Sequence, residues 1–491
     1  VTYLDHGGTT LASKTLIEAF CEEMSTTLLA NPHSDASDPS PSSNIIVETR
    51  LKVLGFFNAD PDYFDVVFTA NATAAAKLVM ECFSGLRGGF DYLYHRSCHT
   101  SLVGVRELSS RAYCFATDDE TKEWLDGGVR PHGISSMDRP TIFAYAAQSN
   151  MNGQRLPLEW CQQLRASACH PRIFTLLDAA AFASTSPLDL GRHASAPDFT
   201  VLSFYKLFGF PDLGALIVRK ASSKVLEHRR YFGGGTVEMT TCSGDTPWVI
   251  KKDTSIHARL EDGTLAMRSI LALRCAIDSH QKLFGGMECI SKHTAWLVAL
   301  LYARLVALKH NNGTPVCHIY KDPTSTFGDA NTQGATVALN MRDENGAWMS
   351  PYMIGSLLRK NGIYVRTGGL CNPAGMASAL GLSAADMRAA FDKGFRCNQR
   401  DDIREDGEPI GMVRVTIGAM STLGDIERFA ECIEQQLVKS RQETQNASGA
   451  NEEVVEDSIS LDTKPKTDGQ RRSRSGLKAT QDCLRYFKSK R

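Results

Sequence analysis

Thr200-Val201-Leu202-Ser203-Phe204-Tyr205-Lys206-Leu207-Phe208-Gly209-Phe210-Pro211 runs from an apolar strand into a polar, aromatic turn that carries one lysine. Upstream, Ile173-Phe174-Thr175-Leu176-Leu177 ends in Asp178 and the small residues Ala179-Ala180-Ala181. Taken singly, a lysine in a loop is usually solvated, and an aspartate before small helix formers is usually an N-cap. The pair suggests more. Apolar flanks desolvate a lysine and favour its neutral amine, the form that condenses with an aldehyde. A carboxylate closing a neighbouring strand can keep a pyridine nitrogen protonated. Those are two services that pyridoxal phosphate requires of a protein.

Working outward, strand-like runs alternate with helical periodicity from about Asp65 to Val218. Val66-Val67-Phe68-Thr69 precedes a helical stretch from Ala74 to Cys82. Thr141-Ile142-Phe143-Ala144-Tyr145 precedes one from Pro157 to Ala166, and Gly214-Ala215-Leu216-Ile217-Val218 closes the series. Such alternation predicts an α/β fold: a mostly parallel, mixed sheet flanked by helices. Ligands gather at the carboxyl ends of strands in such sheets, where Thr73, Asn150, Asp178 and Lys206 fall. After the turn Gly233-Gly234-Gly235-Thr236, helical patterning runs from about Met267 to Leu308. A smaller α+β segment follows, with strands near Gly334 to Leu339, Gly362 to Arg366 and Met412 to Ile417, and a closing helix from Ser421 to Val438. The expected organisation is a large cofactor-binding domain with its N-terminal segment (1–290), a small α+β C-terminal domain (291–440) and a charged tail or linker (441–491).

Composition narrows the function classes. The 491 residues are 42% hydrophobic, enough for a large core. Lys plus Arg (54) nearly cancel Asp plus Glu (55), which argues against nucleic acid as a partner. Apolar runs such as Ala295 to Leu301 are too short to span a bilayer, and the opening Val1-Thr2-Tyr3-Leu4-Asp5 reads as a strand, not a leader. Fourteen cysteines at irregular spacing, with no C-x-x-C pair, predict reduced thiols in a cytoplasmic protein and no zinc site.

Other residues carry two readings each. Phe68-Thr69-Ala70-Asn71-Ala72-Thr73 ends a strand and opens a helix, so the N–H groups there, Ala72 included, and the Thr73 hydroxyl either hold a phosphate or simply cap the helix. Ser203 can add a hydroxyl, with Tyr205 beside it. In His95-Arg96-Ser97-Cys98-His99 no third or fourth metal ligand is at hand; His99 suits stacking on an aromatic cofactor or moving protons, and His95 suits a structural role. Cys371 lies in the glycine-rich Arg366-Thr367-Gly368-Gly369-Leu370-Cys371-Asn372-Pro373, which reads as a mobile thiol loop or as one more core cysteine. Arg414 opens a late strand, as a carboxylate clamp or a structural ion pair.

These residues together resemble the class V, fold-type I pyridoxal phosphate enzymes of the NifS-like cysteine desulfurase group, and most of all the N-terminal domain of eukaryotic molybdenum cofactor sulfurases. The resemblance runs from Tyr3-Leu4-Asp5-His6-Gly7-Gly8-Thr9-Thr10 to about Val438, and Ser203-Phe204-Tyr205-Lys206, where bacterial desulfurases usually have Ser-Gly-His-Lys, favours the molybdenum branch. It implies that Lys206 forms the Schiff base, Asp178 pairs with the pyridine nitrogen and His99 stacks on the ring. It implies further that Asn150 lies near the cofactor's phenolic oxygen and the substrate carboxylate, and that Thr73, Ser203 and Tyr205 bind phosphate. Thr236 would reach the phosphate of the other subunit of a homodimer, and Arg366 and Arg414 would serve the substrate.

By the same resemblance the substrate is L-cysteine, and Cys371 attacks its sulfur to leave alanine and a Cys371 persulfide. That sulfur is destined for molybdenum cofactor, which activates xanthine dehydrogenase and aldehyde oxidase type enzymes. The competing expectations are a general cysteine desulfurase or related lyase with another acceptor, and a scaffold or sulfur-carrier partner without turnover. Two departures from the family pattern stand out. Ala181 replaces a glutamine that contacts the phenolic oxygen in many desulfurases, and the charged stretch after Ser440 does not read as the C-terminal MOSC domain of the full-length family protein.

Overall fold

Runs that are apolar at consecutive positions need cover on both faces, and in the computed structural model they form the central sheet. The structure describes residues 1–439 except 33–39, 129–130, 132–133, 135–138, 167–171, 245 and 397–401, so the stretch expected as a tail (441–491) lies outside the described residues. After a short strand β1 (Thr2–Tyr3) come β2 (Phe64–Thr69), β3 (Asp91–His95), β4 (Arg111–Phe115), β5 (Thr141–Ala146), β6 (Ile173–Asp178), β7 (Phe199–Ser203) and β8 (Gly214–Arg219). They order as β2-β8-β7-β6-β5-β3-β4. β8 runs antiparallel to both neighbours and the remaining pairs are parallel, so the sheet is the mixed, mostly parallel one expected.

That direction matters for chemistry. β2, β3, β5, β6 and β7 all end at one edge, bringing Thr69, His95, Ala146, Asp178 and Ser203 to the same side. Alternate residues fill two cores: Phe143, Tyr145, Leu177 and Leu202 on one face, Ile142, Ala144, Leu176 and Val201 on the other. The helix Met267–Phe284 packs on the helices Lys14–Thr26 and Pro41–Phe56. The single helical region expected from Met267 to Leu308 is two helices, because Gly285 (φ 70°) and Gly286 (φ 111°) break it before Met287–Ala307. The expected division near residue 290 falls in the first turn of that second helix.

A hairpin of β9 (Val237–Thr241) and β10 (Trp248–Lys251) leads away from the large sheet. The smaller sheet takes β11 (Cys317–Ile319), β12 (Thr336–Met341), β14 (Arg366–Gly368) and β15 (Met412–Thr416), antiparallel in the order β11-β12-β15-β14, while β13 (Ile363–Tyr364) pairs in parallel with β1. Residues 1–5 thereby join the small sheet: Leu4 is fully buried among Val413, Val415 and Ile417, and Asp5 bridges to Thr416. The helix Leu423–Ile433 starts with a Thr422–Asp425 capping box and buries Ile426, Phe429 and Ile433 against the same core. Among the described residues no helix is long and apolar enough to cross a membrane.

Candidate active site

Lys206 sits in the one-turn helix Phe204–Phe208 directly after β7. The chain can turn there because Gly209 takes φ 78°, and a Cβ on it would lie 2.3 Å from the Ala12 nitrogen and 2.4 Å from the Leu11 carbonyl carbon. Thr10 N–H (3.1 Å) and the Thr9 hydroxyl (3.3 Å) donate to the Tyr205 carbonyl, tying the N-terminal segment to the lysine's turn. Burial pulls the Lys206 pKa down and the Arg414 charge pulls it further, against Asp178, Asp5 and Cys371. Its amine is thus biased towards the neutral, nucleophilic form.

Asp178 closes β6 and is 8% exposed. Its Oδ1 accepts from the Ala180 N–H (2.9 Å), so the carboxylate is fixed and Oδ2 is left for the cavity. The helix Ala72–Ser84 has the capped N-terminus that one of its two readings expected. Asn71 caps it by accepting from the Ala74 N–H (3.0 Å), and the Ala72 N–H donates to Ser203 Oγ (2.9 Å). Thr73 is exposed at the cavity, with its amide and hydroxyl in the first turn of a 13-residue helix, where an anion is favoured.

His99 Nδ1 accepts from the Ser101 N–H (3.1 Å), which places the proton of the neutral ring on Nε2. Burial pulls its pKa down; Lys206, Arg414 and Arg366 add to the effect and Asp178 opposes it. His95 is structural, as one of its two readings had it: it is fully buried, with Nε2 3.1 Å from Asp118 Oδ1 and Nδ1 accepting from the Ser97 N–H (3.2 Å). Cys98 is also fully buried, its thiol pKa pushed well up by desolvation.

Lys206, Asp178, Ala72, Thr73, Ser203 and His99, with Asn150, Tyr205, Arg366, Cys371 and Arg414, line one cavity of about 190 Å³. A second groove of about 480 Å³ is bigger, but its buried charges are already paired, Arg50 with Glu261 (2.9 Å) and Asp65 with His257 (2.9 Å). Cys371 is half-buried and reaches the cavity from the loop after β14. Arg414 is 4% exposed and makes the structural ion pair that one of its two readings expected. It pairs with Asp5 (2.8 Å) and donates to the Asn150 carbonyl (2.9 Å), yet its Nε is buried without a partner, and three of its five N–H groups remain for a carboxylate. Thr236 is the exception among the predicted residues. It is fully buried away from this cavity, its hydroxyl donating to the Gly233 carbonyl (2.8 Å) and accepting from the Gly233 N–H (3.1 Å).

Sequence reasoning missed Gly7, Gly8, Ser101, Gln148 and Leu370, which also line the cavity. A signal for the glycines existed: Gly-Gly directly after a strand marks close backbone approach, and a Cβ on Gly8 would lie 2.8 Å from Asp5 Oδ2. Gln148 gave none. Its Oε1 accepts from Arg155 Nε (3.2 Å), which leaves its amide donor for the cavity beside Ala181.

The donor set suits pyridoxal phosphate: a desolvated amine, a pinned carboxylate, a helix N-terminus with hydroxyls beside it, and a ring nitrogen of defined protonation. The aminotransferase class-V family model matches residues 2–429. The chain is 49% identical over 444 residues to a molybdenum cofactor sulfurase of Neosartorya fischeri, covering 89% of this chain and 51% of the relative. It is 49% identical over 431 residues to one of Chaetomium globosum, covering 88% and 55%. The chain therefore spans about half the length of these curated relatives. Among solved structures, the fold is similar to that of an apo cysteine desulfurase from Thermococcus onnurineus, with a TM-score of 0.67, 19% identity and coverage of 89% and 94%. The family match over residues 2–429 accounts for most of the sequence, and the cavity's donor set is consistent with it: this chain belongs to the aminotransferase class-V family.

Proposed function

We propose that this chain is the sulfur-mobilising part of a molybdenum cofactor sulfurase, taking sulfur from L-cysteine onto Cys371 and passing it to molybdenum cofactor. One observation carries the reading: the amine of Lys206, the carboxylate of Asp178 and the thiol of Cys371 face a single cavity. Pyridoxal phosphate, the cofactor of the class-V family, supplies the electron sink that makes a substrate Cα–H acidic. Lys206 would hold the cofactor's aldehyde, and its free amine is the base for the substrate Cα proton, a role its lowered pKa supports. Asp178 would keep a proton on the pyridine nitrogen, His99 would lie against the ring, and Asn150 and Gln148 would offer polar groups to its oxygen. Thr73, Ser203 and Tyr205, with the turn at Ala72, take the phosphate. Arg414 and Arg366 orient the substrate carboxylate.

The Cys371 thiolate then attacks the substrate sulfur. An S–S bond forms as the Cβ–S bond breaks, the electron pair goes to carbon, and protonation yields alanine beside a Cys371 persulfide. The enzyme sulfur is oxidised and the substrate carbon reduced, so no outside oxidant is needed. A homodimer in the cytoplasm completes the reading. The hairpin after Thr236 exposes Met239 (61%), Trp248 (46%) and Ile250 (44%), an apolar ribbon suited to a second copy, and the described cysteines are all free. The protein, loaded with pyridoxal phosphate and given ³⁵S-cysteine, is expected to release alanine and carry label on Cys371 by peptide mapping. Label on Cys98, or none, overturns the assignment. Persulfide that transfers to small thiols but never to molybdenum cofactor assigns a general desulfurase instead.

A further inference from the structure

Leu370 (φ 55°) and Cys371 (φ 54°) are consecutive left-handed residues, and neither is glycine. Left-handed backbone crowds the Cβ of any residue but glycine, so something outside the loop must hold them. The holders are specific. Asn150 Nδ2 donates to the Leu370 carbonyl (2.7 Å), and the Thr100 N–H donates to the Cys371 carbonyl (2.9 Å). Asn372, fully buried, donates through Nδ2 to Asn150 Oδ1 (3.1 Å) and to the Ser97 carbonyl (3.1 Å). Its Oδ1 accepts from the Gly375 N–H (3.0 Å) and caps the helix Pro373–Ala379.

The two ends of the Asn372 amide therefore do different jobs. The oxygen starts a helix; the nitrogen fixes the Asn150 amide in the orientation that lets it grip Leu370. Arg414 holds the Asn150 carbonyl from the other side (2.9 Å). We propose that Asn372 is a positioning residue for sulfur transfer: acting through Asn150, it clasps the loop so that the Cys371 thiol stays in the cavity. This rests on the function proposed above for the reaction it serves, but the clasp itself can be tested without turnover.

Asn372→Asp and Asn372→Ser both keep an oxygen for the helix cap and remove the amide donor. In cofactor-free protein, the rate at which iodoacetamide alkylates Cys371, followed by peptide mass spectrometry, is expected to rise about tenfold in both variants as the loop leaves the cavity. In loaded protein at saturating cysteine, single-turnover persulfide formation falls about tenfold or more, while solvent exchange of the substrate Cα proton falls far less. A merely structural role would move these together with the melting temperature. Wild-type alkylation and persulfide rates in either folded variant overturn the clasp. If wild-type protein forms no persulfide at all, the function proposed above fails, and the alkylation rates still decide the role of Asn372.

Discussion

Replacing Gly209 by alanine should dislodge the lysine without touching it. The residue lies three positions after Lys206 at φ 78°, and an added Cβ would meet the Ala12 nitrogen at 2.3 Å, the Leu11 carbonyl carbon at 2.4 Å and the Leu11 oxygen at 2.6 Å. These are backbone atoms, so no side-chain tip can swing aside. The left-handed backbone costs about 1–2 kcal/mol in an L-residue, and overpacking adds roughly 1–3 kcal/mol. The reduced entropy of the unfolded chain returns about 0.4–1 kcal/mol, leaving a net loss of about 3 kcal/mol. The cheapest relief moves residues 9–12 away from the Tyr205 carbonyl that Thr9 and Thr10 hold, and Gly7 and Gly8 on the cavity wall move with them. Gly234→Ala is the control, since nothing lies within 4 Å of its Cβ. Urea unfolding is expected to show a clear loss for Gly209→Ala and almost none for Gly234→Ala. Titration with pyridoxal phosphate, followed by visible absorbance, should show weakened binding only in the former. Equal midpoints and equal cofactor affinity for the two variants would refute the reasoning.

Lys206→Ala is expected to abolish the visible band of lysine-bound pyridoxal phosphate while leaving the far-ultraviolet dichroism unchanged; a persisting band would move the amine elsewhere. Asp5→Ala removes the carboxylate that orients Arg414 (2.8 Å), and steady-state kinetics should show KM for cysteine rising about tenfold with kcat nearly unchanged. His280 is buried between Phe56, Phe208 and Phe284, with neither ring nitrogen partnered, and burial pushes its pKa down to about 4. Because the unfolded chain takes up that proton first, stability is lost as pH falls from about 6.5 towards 4; urea midpoints should show His280→Leu gaining about 3 kcal/mol on wild type between pH 7 and pH 4.

Legibility followed the range of the interactions involved. Lys206 and Asp178 could be read because Asp178 ends, and Lys206 follows within one turn, a mostly apolar buried strand that marks where each residue falls. β3 was harder to see: Asp91 and His95 bracket it, and only distant partners, Arg111 at 3.0 Å and Asp118 at 3.1 Å, make those polar residues burial-compatible. β4 runs along the sheet's edge with mostly half-exposed residues, and the β9–β10 hairpin is largely exposed, so neither carries the apolar run that marks a buried strand. Gln148 follows the same rule as β3. Its place on the cavity wall depends on Arg155, a buried cation pulled down to a pKa of about 10 by desolvation, whose own partners include the carbonyl of Ala330 far along the chain.

The cavity therefore joins parts built on opposite principles. The large-sheet edge supplies the amine, the carboxylate and the Thr73 hydroxyl from strand ends and a helix start, where ladder hydrogen bonds and short-range contacts to backbone N–H groups set the geometry. Such parts suit chemistry that needs fixed placement. The thiol comes from the far side, on a loop whose two left-handed residues oppose the held conformation and whose restraint comes from neutral amide contacts of modest worth. In a loop held against its backbone preference by so few contacts, the loss of one contact would weaken the restraint on Cys371. Arg414 touches both sides, gripping Asn150 while lining the cavity. A carboxylate arriving at its free N–H groups would compete for the same guanidinium that steadies the clasp, and this gives substrate binding a direct physical route to the position of Cys371.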